Sequence, residues 1–348
     1  MTIRVVQWTT GQVARAAVRA VLAQPGLELV GCYAWSPQKV GRDVGELCGL
    51  PPLGIAATGE IEAILALRPD VVLYMPLMWN VDDMVRLLEA GINLISTAGF
   101  ITGHSYGDAD MARLHEAAER GGASLYGSGI NPGLASVVAL TSAAACREIE
   151  RISIHEAVDC TPYASPETWR ALGFGAPPDT PGLADIMRQR MLAFADAMEM
   201  MAQALHVELD EVRFVPEMGV ATRDLDLGYM QIAEGTVCGI KAIWQGMTAG
   251  GPLLEMSLLW RVGDAMEPDW PTDHGYVMEI RGVPNVRVRY EPELGGDPEE
   301  YVAAPTANPA VNAIPAVVAA RPGMVTAADL PLVTATSIKT GLGNPVGG

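Results

Sequence analysis

Paired cysteines are the first thing that this sequence lacks. A zinc site or a disulfide framework needs cysteines at regular spacing. The cysteines here are odd in number and scattered, and no two form a CxxC pair: Cys32, Cys48, Cys146, Cys160 and Cys238. We therefore expect neither a structural metal site nor a disulfide scaffold.

Positive charge and long apolar runs are also scarce. The chain has 23 Lys and Arg against 41 Asp and Glu, a formal net charge of −18, which repels nucleic acid and anionic membranes. No apolar run approaches the roughly 18 residues of a membrane-spanning helix, and no signal peptide precedes the first apolar strand. We expect a soluble cytoplasmic protein with no nucleic-acid or membrane partner.

Short apolar strands alternate with amphipathic helices through the first third of the chain. Strands are predicted at residues 3–7, 27–35, 70–75, 93–97 and 123–126, and helices at 12–23, 60–67, 82–90 and 108–120. This alternation predicts an α/β fold, a Rossmann-type doubly wound parallel sheet with helices on both faces.

The alternation stops near Asn131, Pro132 and Gly133. An apolar helix at 134–146 is followed by longer strands at 149–160, 212–218, 236–247, 253–262 and 276–290, with one long helix at 183–206. This pattern predicts a second α+β domain with an open mixed or antiparallel sheet. An acidic loop at 291–304, a final helix at 309–320 kinked at Pro315, and a Gly-rich tail at 341–348 follow. The predicted division is 1–133, 134–305 and 306–348.

The turn after the first strand is the leading candidate for binding a dinucleotide. A helix beginning at Gln12 directs free N–H groups and its positive dipole end at the turn, where a pyrophosphate would be stabilised. The glycine fingerprint is weak, because Trp8 and Ala14 occupy two of its positions and only Gly11 remains. By itself the motif fits a nucleotide site and an ordinary βα turn equally well. The candidate residues are Thr9, Thr10, Gly11, Gln12 and Val13.

Three further strand ends would meet that turn at one edge of the sheet. No Asp or Glu ends the second strand, so Ser36 and Lys39 are candidates to hold a 2′-phosphate, which favours NADP(H) over NAD(H). The alternative is that Lys39 is a solvated loop residue. Met75 and Pro76 would pass under the adenosine, and the small Thr97 and Ala98 would let a nicotinamide lie against the backbone. Each of these, alone, also fits an ordinary strand end.

Four of these segments carry a family resemblance. VVQWTTGQV, WSPQKVGRDVGELCGL, NLIST and GSGINPG resemble the NAD(P)H-dependent amine dehydrogenases, which are similar to 2,4-diaminopentanoate dehydrogenase and more distantly to dihydrodipicolinate reductase. The resemblance implies a dimerising second domain, a late helix that folds back on the first, and reduction of a C=N or C=O carbon. It also implies that Asn131 lies between nicotinamide and substrate and that Tyr163 lies in the pocket.

One departure from the family pattern concerns an acidic residue after the NLIST strand. Family members that make amines carry a glutamate just after the NLIST strand, and this chain has Ala98, Gly99, Phe100 and Ile101 there. His104 could replace that acid, with Tyr106 in the same loop as a similar candidate.

On the later strand ISIHEAVDC, alternation puts Glu156 on one face and His155 and Asp159 on the other. A carboxyl on an apolar strand is costly to bury unless it is paired, so Glu156 or Asp159 could face a polar pocket. The catalytic candidates are therefore His104, Glu156 and Tyr163; the alternatives are an exposed loop histidine and an interface or edge carboxylate.

Taken together, the sequence predicts an NAD(P)-dependent oxidoreductase that transfers hydride to an imine or carbonyl carbon of a small, apolar substrate. A homodimer is expected. Two alternatives stay open: a ketone or alcohol dehydrogenase on the same scaffold, and a non-catalytic nucleotide-binding protein. The methionines of the 183–206 helix are expected to pack in the core or in a dimer interface.

Overall fold

Two seven-stranded sheets organise the described residues of the computed structural model, which are 2–273, 275–293 and 298–336. The elements of the first part are β1 (Ile3–Trp8), α1 (Gln12–Leu22), β2 (Leu27–Tyr33), α2 (Val44–Leu47), β3 (Ala57–Thr58), α3 (Ile61–Ala66), β4 (Val71–Tyr74), α4 (Val81–Glu89), β5 (Asn93–Ser96), α5 (Asp108–Gly121) and β6 (Ser124–Gly127).

The remaining elements form the second sheet with its helices and then return to the first. They are α6 (Ala135–Ala143), β7 (Glu148–Asp159), α7 (Pro166–Ala171), α8 (Leu183–Arg190), α9 (Leu192–Ala204), β8 (Glu211–Ala221), β9 (Leu225–Asp226), β10 (Gln231–Ile232), β11 (Val237–Thr248), β12 (Gly251–Arg261), β13 (Met266–Glu267), β14 (Gly275–Val283), β15 (Val286–Tyr290), α10 (Pro298–Asn312), α11 (Ile314–Val318) and β16 (Gly323–Val325).

The first sheet is parallel, in the order β16-β6-β5-β4-β1-β2-β3. One face is covered by α1, α2, α10 and α11, and the other by α3, α4 and α5. The α1 helix shows why these segments fold this way, since Ala14, Ala17, Val18 and Val21 recur at helical spacing and are all buried against the sheet. The predicted Rossmann-type architecture is confirmed.

The second sheet is mixed, in the order β13-β8-β11-β12-β7-β14-β15. Only β7 and β12 pair in parallel, with Glu156 opposite Leu258, and the other pairs are antiparallel. The apolar positions of its strands form one core with α6, α8 and α9. The methionines expected to pack in the core or in a dimer interface lie on α8, on α9 and between these helices. All five are buried in that core: Met187, Met191, Met198, Met200 and Met201.

Three segment predictions were wrong. The long helix at 183–206 is two helices, because the backbone at Met191 (φ −112°, ψ 19°) leaves the helical region. The long strand at 276–290 is a hairpin of β14 and β15, since Pro284 cannot donate to the ladder and the Asn285 side chain accepts from the Gly282 amide at 3.0 Å.

The third wrong prediction is the acidic loop at 291–304, because α10 begins at Pro298. Although α10 contains Pro305 and Pro309, an apolar stripe including Ala303, Ala307 and Val311 is buried, and the helix packs against α1. The predicted final helix at 309–320 is the end of α10 followed by α11, in whose first turn Pro315 lies. The Gly-rich tail at 341–348 lies outside the described residues.

The late elements lie against the first sheet. β16 pairs in parallel with β6, so that Gly323 lies opposite Ser124 and Val325 opposite Tyr126. The α10 helix contacts both α1 and residues 130–134. In the part of the chain that the structure describes, no helix is long and apolar enough to cross a membrane.

Candidate active site

The turn between β1 and α1 is held in an unusual conformation by bonds to its neighbours. Thr9 has φ +77°, a left-handed conformation that costs a β-branched residue about 1–3 kcal/mol. Its amide donates to the carbonyl of Tyr33 at 2.8 Å, and its hydroxyl donates to the carbonyl of Met75 at 3.1 Å. The predicted residues Thr9 and Met75 are thereby joined at the carboxyl edge of the sheet, and Pro76 follows directly.

The residues at the start of α1 fit a dinucleotide. The helix has no side-chain cap and no acidic residue in its first turn, which leaves amides for an anion. A Cβ built on Gly11 would meet nothing within 4 Å, so the space above the helix is open. The Gln12 Oε1 atom is buried and lacks a hydrogen-bond partner among the described residues, so it can accept from a ligand. Val13, in the first turn of α1, is partly buried and packs against the core between α1 and the first sheet.

Lys39 lies over the same turn. Its ammonium group donates to the Thr10 hydroxyl at 2.9 Å, and its amide donates to the Ser36 carbonyl at 2.9 Å. The Ser36 hydroxyl donates to Gln38 at 2.5 Å. This arrangement puts a positive charge where β2 ends without a carboxylate.

Trp8 does not fill the space in front of α1. Its ring stacks on Tyr33 at 3.9 Å between centroids and lies 5.3 Å from the Tyr74 ring. These rings belong to the core on the face covered by α3, α4 and α5, whereas α1 covers the opposite face.

The ends of β5 and β6 lead from this edge toward the second sheet. Thr97 and Ala98 are half-buried, and the Ala98 amide donates to the Ser96 hydroxyl oxygen at 3.1 Å. The Ser128 amide donates to the Ser96 carbonyl at 2.9 Å. The turn containing Asn131 starts two residues later.

Glu156 lies at the centre of the polar group that we call the acid centre, with Asn131 and Trp260. Glu156 is 7% exposed. One carboxyl oxygen accepts from Trp260 Nε1 at 2.7 Å and the other from Asn131 Nδ2 at 2.5 Å. Burial raises the pKa of Glu156 to about 7, and the hydrogen bonds from Asn131 and Trp260 oppose that rise. A carboxyl with this pKa can hold or release a proton near neutral pH.

One polar atom of the Asn131 side chain forms no hydrogen bond with the described residues. This atom, Oδ1, is buried and has no hydrogen-bond partner within the described ranges. Leaving a buried acceptor unsatisfied costs about 1–3 kcal/mol. Such an atom at the edge of a polar cluster indicates a place for a donor from a ligand.

Aromatic side chains pack beside Trp260 of the acid centre. The Trp169 ring lies 6.5 Å from Trp260 and 5.7 Å from Tyr163, and the Phe194 ring lies 6.1 Å from Trp260. Burial raises the pKa of Tyr163. The Trp260 side of the acid centre is therefore apolar and aromatic.

A second buried carboxyl, Asp196 on α9, holds the loop after β5. It is 0% exposed and accepts from the amides of Gly103 and Ser105 and from the hydroxyls of Thr102 and Ser105. Burial raises the pKa of Asp196, and these hydrogen bonds oppose the rise. We call Asp196 and residues 102–105 the loop anchor.

The structure separates the predicted catalytic residues. Glu156 and Tyr163 lie with Asn131 around the aromatic cluster, whereas His104 is exposed on the anchored loop. Tyr106 packs its ring between Trp79 and Phe100.

Asp159 accepts from the amide and hydroxyl of Thr161 at 2.9 and 2.5 Å, which closes a turn after β7. Sequence reasoning missed Trp260 and Asp196. The signal for Asp196 was present, since it is an acid within an apolar helix, but Trp260 reaches Glu156 only through the β7–β12 pairing.

One cavity of about 780 Å³ lies between α6, α10 and residues 327–335. It shares no lining residue with the predicted site. Its lining includes Ser128 and Leu134, which lie on either side of the turn that carries Asn131.

Comparison with known proteins adds the family. Residues 134–341 match the family described as the 2,4-diaminopentanoate dehydrogenase C-terminal domain. An amine dehydrogenase from Streptomyces virginiae is 32% identical over 95% of this chain and 96% of its own length. A 2,4-diaminopentanoate dehydrogenase from Acetoanaerobium sticklandii is 25% identical over 72% of this chain and 70% of its own.

A solved structure agrees on the fold. The amine dehydrogenase from Mycobacterium smegmatis superposes with a TM-score of 0.82 at 23% identity, over 97% of this chain and 98% of that one. At this identity the likeness establishes a shared fold.

Proposed function

The chain belongs to the amine dehydrogenase family of NAD(P)-dependent oxidoreductases, and on that premise we propose that it reduces the imine or carbonyl carbon of a small apolar substrate. The observation that carries the proposal is Glu156, a buried carboxyl whose pKa is raised to about 7 beside an aromatic cluster. When bound, the nicotinamide supplies hydride.

The chain's own residues would move the proton. As the carbon gains hydride, the π electrons of the C=N or C=O bond move to nitrogen or oxygen, which takes the proton from Glu156. Asn131 and Trp260 then stabilise the resulting carboxylate through their N–H groups. Solvent returns the proton before the next cycle. The aromatic side chains beside Trp260 exclude water from the reacting carbon.

The second candidate function is a ketone or alcohol dehydrogenase. The loop after β5 carries Ala98, Gly99, Phe100 and Ile101 where amine-forming relatives carry a glutamate, which favours this candidate. A non-catalytic nucleotide-binding protein is the third.

Two measurements test the proposal and separate the candidates. Fluorescence titration with NADPH and NADH measures binding, and NADPH oxidation with small apolar ketones is then followed with and without ammonium. We expect binding and ammonium-dependent oxidation. Ammonium-independent oxidation would support the ketone dehydrogenase, tight binding without turnover would support the nucleotide-binding protein, and failure of both cofactors to bind would overturn all three.

For the cofactor we propose NADP(H) as the preferred form, supported by the Lys39 ammonium beside Thr10. Replacing Lys39 by Glu should weaken NADPH binding about tenfold or more and NADH binding much less, because only NADPH carries a 2′-phosphate. Titration of both cofactors against the wild type and K39E checks this, with Arg188→Glu, at an exposed position of α8, as a control for net charge. Equal weakening of both cofactors by K39E would contradict the assignment.

We also propose a homodimer formed through the second sheet. The helices α6, α8 and α9 pack on one face of that sheet, and the other face presents side chains of both charges next to apolar ones, such as Lys241, Glu217 and Ile243. A face of mixed charge can pair with its own copy about a two-fold axis. Light scattering after size exclusion tests the dimer, and Ile243→Arg should give monomers.

We propose two domains at residues 1–133 and 134–297, with the segment from Pro298 onward packing on the first domain. The start of α10 at Pro298 and its packing on α1 support moving the second boundary from 305 to 297.

A further inference from the structure

Only the nitrogen of the Asn131 side-chain amide forms a hydrogen bond within the described residues. This nitrogen donates to Glu156 at 2.5 Å, while the amide oxygen is buried without a partner in the part of the chain described. An ionised Glu156 accepts hydrogen bonds and cannot donate, so it requires the amide nitrogen and turns the amide oxygen away from itself. The orientation of the free oxygen therefore follows from the carboxylate.

The side-chain N–H groups of the acid centre already donate to Glu156. Trp260 Nε1 and Asn131 Nδ2 both donate to the Glu156 carboxyl. What the centre offers a ligand is the Asn131 Oδ1 acceptor and the carboxyl group itself. A carbonyl oxygen would find only the proton of Glu156 there, and a hydroxyl can donate to just one of the two acceptors. An iminium or ammonium nitrogen carries several N–H groups that can satisfy both.

We infer that Asn131 Oδ1 and Glu156 together form a cradle for the substrate nitrogen, and that Asn131 is the residue that makes the site prefer amines and imines to alcohols and ketones. The inference rests on the proposed function and deepens it, since it names the substrate class. It also assigns the nitrogen site to residues of β7 and of the turn before α6, and not to a side chain of the loop after β5.

The chain offers a matched pair of variants to test this. Asn131→Leu removes one donor to Glu156 and also removes Oδ1, at a position with an extended backbone (φ −153°, ψ 119°) that leucine can adopt. Trp260→Phe removes the other donor to Glu156 and leaves Oδ1 in place. Both variants disturb the carboxyl, and only N131L removes the acceptor.

The readout is the ratio of kcat/KM for a primary amine to kcat/KM for the secondary alcohol of the same carbon skeleton, followed as NADP⁺ reduction. We expect the wild type and W260F to share a ratio that favours the amine. N131L should lower that ratio about 10- to 100-fold, with alcohol turnover close to that of W260F. Thermal melts confirm that each variant is folded.

The outcomes separate the inference from the proposed function. An equal loss on amine and alcohol in N131L would make Asn131 merely structural, and a wild type that prefers the alcohol would overturn the nitrogen cradle while leaving an oxidoreductase. If cofactor binds but nothing is turned over, the proposed function fails. Titration of the cofactor complex with cyclohexylammonium then decides the cradle: about tenfold weaker binding to N131L supports it, and unchanged binding overturns it.

Discussion

Glu156 and Asp196 are both buried carboxyls on elements that face the same core, and they differ in how completely they are satisfied. One Asp196 oxygen accepts from the Thr102 hydroxyl and from the amide and hydroxyl of Ser105, and the other accepts from the Gly103 amide. Glu156 receives one side-chain donor on each oxygen and lies beside an acceptor with no partner among the residues described. Burial raises the pKa of both groups. Burial alone therefore does not distinguish a group that holds a loop from one that can exchange protons with a ligand.

The largest effect that separates the two carboxyls should be on the rate. Glu156→Gln keeps the side-chain volume but removes the proton, so kcat should fall about 100- to 10,000-fold, whereas Asp196→Asn should lower kcat less than about tenfold if it acts only through the loop. Steady-state kinetics at neutral pH measures both. Glu150→Gln, on the same strand but exposed, is the matched control and should leave kcat unchanged. Similar losses for E156Q and D196N would erase the distinction.

The next effect concerns stability against pH. Burial raises the pKa of Glu156 from 4.5 to about 7, so between these values the folded state binds more protons than the unfolded state. The proton on Glu156 therefore stabilises the folded state. This stabilisation is complete below pH 4.5 and is lost as pH rises toward 7, by about 3 kcal/mol over that interval. Urea unfolding of E156Q and the wild type should show the free-energy difference moving by that amount in favour of E156Q. A difference that does not change with pH would contradict the raised pKa.

A smaller effect should follow from removing the loop anchor. Asp196→Ala leaves the Gly103 and Ser105 amides without their acceptor, which should lower the unfolding free energy by about 2 kcal/mol. Urea unfolding at neutral pH measures this, and hydrogen exchange should show faster exchange at those two amides. Unchanged exchange there would mean that Asp196 does not hold the loop.

Ser105→Ala gives the smallest change. It removes a single hydroxyl donor to Asp196 and keeps the amide donor, so the cost should be about 1 kcal/mol with kcat unaffected. The same unfolding and rate measurements apply. A loss of activity larger than the loss of stability would show that the loop anchor takes part in the reaction.

The sequence was sufficient for what depends on neighbouring residues. The β1–α1 unit was predicted because a β-branched run, Gly11 and an Ala-rich segment are adjacent in the chain. The face of Glu156 followed from strand alternation alone. Both interpretations needed only local periodicity.

What the sequence could not supply depends on pairing between distant segments. Trp260 meets Glu156 because β7 and β12 pair in parallel, and no local pattern specifies that partner. Asp196 meets residues 102–105 through the packing of α9 on that loop. The helical state of α10 was missed for the same reason, since burial of Ala303 and Ala307 against α1 outweighs its internal prolines.

The position of β16 has a consequence for synthesis. The strand that lies outside β6 in the nucleotide-binding sheet is contributed by Gly323–Val325, about 200 residues later in the chain. A nascent chain must therefore emerge past Val325 before this sheet has its outer strand. Until then the exposed edge of β6 has no partner from its own sheet, and the growing polypeptide carries an incomplete domain through most of translation.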